Sequence, residues 1–92
     1  MITEVLYDAH RHIVCRPCTP ENLHLMAELI GLKRCWYHAR PYPHYDIPKR
    51  WVADFGLELD ERLLNLDIEK INYRQVSPRE ILRVCQSAPK GR

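Results

Sequence analysis

The hydrophobic pattern is sharpest over residues 19–31. Leu23, Met26, Ala27 and Ile30 recur at helical spacing, which lays them along one face of an α-helix. Thr19 suits the N-cap, and Pro20 fits the first helical position, where its missing N–H is not needed. Glu21 favours the positive end of the helix dipole, and Gly31 supplies a left-handed stop. The pattern predicts a helix over 20–30. A second helix start is written in Ser77-Pro78-Arg79-Glu80, a capping box that opens a helix over 78–86 through Ile81, Leu82 and Cys85. Leu82 and Ile81 are expected in the core with the first helix.

Shorter apolar runs predict strands. Val5, Leu6 and Tyr7 mark a buried strand within 2–7 that stops at Asp8. His12-Ile13-Val14-Cys15 reads as a second strand or the other arm of a hairpin. Cys35-Trp36-Tyr37-His38 is rich in β-formers. Residues 71–76 read as a strand with Ile71, Tyr73 and Gln75 on one face. Between 40 and 48 stand Pro41, Pro43 and Pro48, which predict a stiff, extended, unpaired loop. Residues 49–55 predict a short helix ending at Gly56. Leu63, Leu64, Leu66 and Ile68 mark a further helical turn. Strands alternating with helices predict an α/β fold: a small single-layer, mostly parallel sheet flanked by short helices. Sites in such sheets form where strands end and loops begin.

Composition adds bounds. With 92 residues the chain is one domain, predicted over 1–88 with a basic tail at 89–92. Hydrophobic residues at 46% and charged residues at 28% are the balance of an ordinary globule, and a net charge of +2 does not point to nucleic acid. No apolar run approaches the roughly 18 residues that span a bilayer. The first residues lack the basic and apolar blocks of a signal peptide. A cytoplasmic protein without membrane contact is expected, its four cysteines serving as thiols or metal ligands rather than disulfides. A domain this small gains from a metal, a partner subunit or very good packing.

Two constellations carry chemistry. His44-Tyr45-Asp46 offers an imidazole, a phenol and a carboxylate as base, proton donor and orienter, or as metal ligands. His24, with Glu28 four residues later on the same polar edge, and Asp8 are expected to converge with His44 and Asp46. Two histidines plus carboxylates suit a divalent metal and hydrolysis of a phosphate ester. The structural reading of the same residues has Asp46 capping the next helix and His44 holding the loop through a backbone carbonyl. The second constellation is Cys15, Cys18, Cys35 and His38, whose spacing matches a closed tetrahedral zinc site. Read structurally, Cys15 and Cys35 are buried small hydrophobes, and Cys85 is core on a helical face. Cys18, at a helix start beside Arg16, is also a candidate reactive thiol. Basic and aromatic residues interleave from Arg40 to Trp51 as in single-stranded nucleic-acid sites. Packing of the aromatics onto the core is the preferred reading.

Leu23-His24, Ala27, Ile30-Gly31-Leu32, Trp36-Tyr37 and above all Pro43-His44-Tyr45-Asp46-Ile47 resemble the small bacterial and phage proteins catalogued as domain of unknown function 4031. Val5-Leu6-Tyr7-Asp8 is similar to that family's opening strand, and Val76-Ser77-Pro78-Arg79-Glu80-Ile81 to its closing helix start. The resemblance implies the element order and a site at the His-Tyr-Asp loop, and assigns no activity. Two functions are therefore expected as alternatives. One is a small accessory protein whose His44, Tyr45, Asp46 and His24 bind a metal or a phosphate-bearing ligand, hydrolase-like, with a homo-oligomer completing the pocket. The other is a non-enzymatic module that binds a host protein, with the zinc site as reinforcement. The sequence names no cofactor beyond zinc.

Overall fold

The computed structural model describes residues 2–40, 42–64 and 71–86. Strand β1 (Glu4–Tyr7) turns through residues 8–11 into β2 (His12–Arg16). So short a connection admits only an antiparallel hairpin. Thr19 then caps helix α1 (Pro20–Ile30), its side chain accepting from the Asn22 backbone N–H at 3.2 Å. Leu23, Met26, Ala27 and Ile30 are all buried, as the periodicity predicts.

After α1 the prediction and the structure part. Residues 34–36 form a 3-10 turn rather than strand, and only β3 (Tyr37–His38) is extended. The expected unpaired loop contains β4 (His44–Asp46), which is hydrogen-bonded on both edges, to β2 and to β3. Pro43 and Pro48 bracket this strand without entering it, so all three of its residues keep their N–H donors. Residues 49–54 form a 3-10 stretch that runs into α2 (Phe55–Leu64). Gly56 therefore does not stop the helix. A side chain there would begin 3.0 Å from the Tyr7 hydroxyl, so the glycine admits a close approach to β1. β5 (Asn72–Gln75) and α3 (Pro78–Gln86) close the described chain. Leu66, Ile68 and the predicted tail at 89–92 lie outside the described residues, as does Pro41.

The protein is mixed α/β with one five-stranded sheet in the order β3-β4-β2-β1-β5. The expectation of a mostly parallel sheet is incorrect. Among the described residues, only β1 and β5 run parallel, while β1–β2, β2–β4 and β3–β4 are antiparallel. Register and pleat assign the faces. Val5, Tyr7, Ile13, Cys15 and Tyr45 share one face, and Leu6, His12, Val14, Arg16, His44 and Asp46 the other. α1 lies on the first face, where His24 reaches Tyr45. α3 serves the second, where Glu80 reaches Arg16 at 3.8 Å. In α3 the buried positions are Ile81, Val84 and Cys85, and Leu82 is 37% exposed, contrary to the expectation that Leu82 is core. Spacing of three and four residues selects one face, and Leu82 falls off it.

Gly31 adopts φ +89°, and its N–H bonds the Ala27 carbonyl at 2.8 Å. A Cβ there would stand 2.6 Å from Nη1 of Arg62, which itself donates to the Ile30 carbonyl at 2.8 Å. Gly31→Ala thus meets a left-handed backbone and a displaced guanidinium together. We expect it to lower stability by about 1–2 kcal/mol in urea unfolding, and Gly31→Asn to cost less.

Candidate functional site

Because β4 is a paired strand, consecutive side chains of His44-Tyr45-Asp46 leave it on opposite faces. Tyr45 enters the α1 side, where it is fully buried. Its hydroxyl lies 2.6 Å from His24 Nδ1, and the Tyr37 and Tyr45 rings stand 5.4 Å apart. Burial, ahead of the smaller effect of Tyr37, pushes the Tyr45 phenol up, opposed by Arg34, so it keeps its proton. Burial and then the Arg34 guanidinium pull His24 below the ordinary imidazole value, against Glu21. A neutral His24 accepting from the Tyr45 hydroxyl satisfies both shifts. His24 and Tyr45 therefore form a strut on the helix side, and His24 is not brought to His44 and Asp46 as the sequence suggests.

The opposite face gathers a different set. The Asp8 carboxylate is 1% exposed and is anchored in the hairpin turn. Its Oδ1 accepts from the backbone N–H of His10 at 2.7 Å and of His12 at 3.0 Å. Its Oδ2 takes His12 Nδ1 at 2.9 Å. A carboxylate accepting there leaves the free lone pair of a neutral His12 on Nε2. His44, 5% exposed, is held in the same manner, with Nδ1 donating to the Tyr42 carbonyl at 2.7 Å. A carbonyl can only accept, so the lone pair of neutral His44 is again on Nε2. That atom faces Asp46 Oδ1 at 3.4 Å, while Asp46 Oδ2 meets His38 Nε2 at 3.1 Å.

The ligand atoms of His12, His44 and Asp46 lie within 4.8 Å of one another. His12 sits directly across from Asp46, and His38 across from His44. Tyr42 flanks the group, its ring 4.8 Å from that of His44. Burial first, with the Asp8 and Asp46 carboxylates adding to it, raises the Tyr42 phenol to about 12. The cluster therefore brings two imidazoles and a carboxylate close together. Such a donor set suits a cation, a proton or a metal ion.

A separate open depression of about 490 Å³ is lined by Ala9, His10, Arg11, Lys49, Val52 and Ala53. It carries three basic side chains and no carboxylate. Arg11 has φ +81°, a conformation rare outside glycine. It is locked there on both sides: its carbonyl accepts from the Ile47 N–H at 2.7 Å, and its Nε donates to the Ile47 carbonyl at 2.9 Å.

The other expected ligands are dispersed. Cys15 is buried in β2, Cys18 contacts Cys85, and Cys35 is exposed in the turn before β3. His38 is engaged with Asp46. No three of Cys15, Cys18, Cys35 and His38 are among the described ligand clusters, so the structure does not assemble a closed Cys/His set. Cys35 is not buried as its structural reading expects, whereas Cys85 is. Glu28 is exposed on α1, on the helix side of the sheet. The 3-10 stretch after Pro48 has no side-chain cap, so Asp46 does not cap it. Sequence reasoning passed over His12 as a ligand and over His10 and Arg11 entirely. The available signal was the four-residue interval from Asp8 to His12 across a turn, followed by period-2 placement on a strand.

The His24–Tyr45 strut sets a pH dependence. His24 titrates below its reference value of 6.5 in the folded state, so the unfolded chain binds its proton more readily. Stability from this pair is complete above pH 6.5 and declines as pH falls through that value toward the folded pKa. We expect thermal melts to shift down across that acid range, and His24→Gln to flatten the slope there.

The chain matches no family model, no curated protein and no solved structure.

Proposed function

We propose that the protein binds a divalent metal through His12, His44 and Asp46 and uses it on a phosphate-bearing ligand, in the manner of a small hydrolase. In keeping with the resemblance at residues 43–47, we place it among bacterial or phage accessory proteins. The observation that carries the reading is the facing of acceptors. Each histidine spends Nδ1 on a fixed partner, the Asp8 carboxylate or the Tyr42 carbonyl, which is how metal-binding imidazoles are commonly oriented. Two histidines and one carboxylate leave further coordination positions open. A bound ion there would polarise a phosphoryl oxygen and acidify a bound water. The protein's own contribution is positional. Asp8 and the Tyr42 carbonyl hold the imidazoles, and His38 steadies Asp46. Arg11, next in sequence to His12, and Lys49 line one open depression and suit an anionic group.

Calorimetric titration with Zn2+ and Co2+ tests the metal. We expect one site per chain, lost in His12→Ala and in Asp46→Asn, with circular dichroism confirming folded protein. Asp8→Asn, which removes the charge that orients His12 and braces the hairpin turn, should weaken binding by about 10–100-fold in protein that circular dichroism shows to be folded. Wild-type affinity in both His12→Ala and Asp46→Asn would exclude this centre. For the ligand, Arg11→Ala should raise KM for a generic aryl phosphate more than it lowers kcat, because the guanidinium binds without touching the reacting centre.

A further inference from the structure

Two thiols outside the candidate metal centre are in contact. Cys18 directly precedes the Thr19 cap of α1, and Cys85 lies in the last turn of α3. Their sulfurs are 3.2 Å apart although the residues are 67 positions apart in sequence. A disulfide holds sulfurs at about 2.05 Å, so a closure of roughly 1 Å separates the dithiol from a bond. Both sulfurs also approach one acceptor, the Pro43 carbonyl, at 3.8 Å from Cys18 and 3.4 Å from Cys85. The shared carbonyl keeps them side by side. The remaining cysteines are placed otherwise. Cys15 turns to the Pro17 carbonyl at 3.6 Å, and Cys35 is exposed.

The two sulfurs are also unequal. The hydrogen bond from Cys85 holds the Cys18 thiol below its ordinary value against the effect of burial. The same bond and burial push Cys85 far up. Cys18 is thus the group that loses its proton first, and Cys85 the group that keeps one to give. Unequal paired thiols are the arrangement of an attacking and a resolving cysteine.

We propose that Cys18 and Cys85 are a redox-active pair that closes to a disulfide on reaction with a peroxide. The Cys18 thiolate attacks one oxygen of hydrogen peroxide and the O–O bond breaks. The departing hydroxide takes up the proton Cys18 lost, giving one water and a sulfenic acid on Cys18. The Cys85 sulfur then displaces the hydroxyl from the Cys18 sulfur, and the Cys85 proton leaves with it as a second water. Each sulfur is oxidised by one electron, and both peroxide oxygens are reduced. The bond joins the start of α1 to the end of α3 and so ties the elements on the two faces of the sheet. A loop of 67 residues is among the costliest for an unfolded chain to close, so the cross-link stabilises the fold. The proposal does not depend on the metal reading.

The test uses the reduced full chain exposed to hydrogen peroxide, then denatured, alkylated and mapped by mass spectrometry. We expect two of the four thiols to disappear with the loss of two hydrogens, and one linked peptide to contain Cys18 and Cys85. Dithiothreitol should restore both. The oxidised protein should melt higher than the reduced, by on the order of 10 °C. Cys35→Ser should keep the linked peptide and Cys18→Ser should lose it. Because the wild-type map needs no variant, it decides the matter if Cys18→Ser fails to fold. Oxidation confined to Cys35, or Cys18 and Cys85 both still alkylated after peroxide, would overturn the proposal.

Discussion

The carboxylate of Asp8 is the constraint on which the polar face of this protein depends. It is buried, and a buried charge is tolerated only when hydrogen-bonded. Asp8 meets that requirement with two backbone donors and one imidazole. Those bonds fix the hairpin turn between β1 and β2, and with it the register that sets His12 across from Asp46. They also force Arg11 into its left-handed conformation, since the chain must cross from Asp8 back to His12 in three intervening residues. Such a backbone costs of order 1–3 kcal/mol and persists only where its surroundings over-determine it. Here the two Arg11–Ile47 hydrogen bonds supply that constraint. One carboxylate thus orients an imidazole and fastens the turn.

The pleat of β4 does the rest. A helix would have spread His44, Tyr45 and Asp46 around its circumference, and a loop would have left their directions free. A strand paired on both edges sends Tyr45 into the helix-covered core and its two neighbours to the other face. The aromatic side is closed, with Tyr45 fully buried and its hydroxyl matched by His24. On the polar side α3 is only nine residues long, so it shields the sheet near β2 and leaves the β3 edge open. His38 is 51% and Asp46 28% exposed, while His44 beside them is 6% exposed. A buried imidazole and a half-exposed carboxylate side by side offer solvent access with fixed geometry, as a site that exchanges ligand requires.

How much of this was legible in the sequence follows from how local each signal is. The bounds of α1 were readable because cap, periodicity and stop are all written within a dozen positions, and the start of α3 because its capping box is local. β1, β2 and β5 were readable to within a residue or two from short apolar runs. Strand direction was not, because pairing partners are set by distant segments, and the four-residue turn at 8–11 was the one local clue to an antiparallel sheet. Prolines at 43 and 48 argued against pairing when counted, yet their positions leave 44–46 free to pair. The proximity of His44 and Asp46 was visible, and so was a bond from His44 to a backbone carbonyl, which the structure gives as that of Tyr42. The partner of His44 and Asp46 was misread. His24 is nearer in sequence pattern, whereas His12 arrives by cross-strand register, which a single sequence does not display. The cysteines show the same limit. A CxxC-like interval suggested Cys35 and His38 as partners for Cys18, and the fold instead supplies Cys85 from the far end of the chain.

Both the metal-ligand cluster and the thiol pair are approached by the same short segment. Tyr42 gives its carbonyl to His44, and Pro43 gives its carbonyl to Cys18 and Cys85. Both residues lie in a bend just before β4, and one dipeptide serves two neighbouring groups. Pro43 has no N–H to satisfy and a fixed φ, which limits how far either carbonyl can swing. The segment before β4 therefore does more than lead into a strand. It is the spacer that meets an imidazole through one carbonyl and two sulfurs through the next, and the fixed φ of Pro43 helps a domain of this size keep two chemically distinct groups in place.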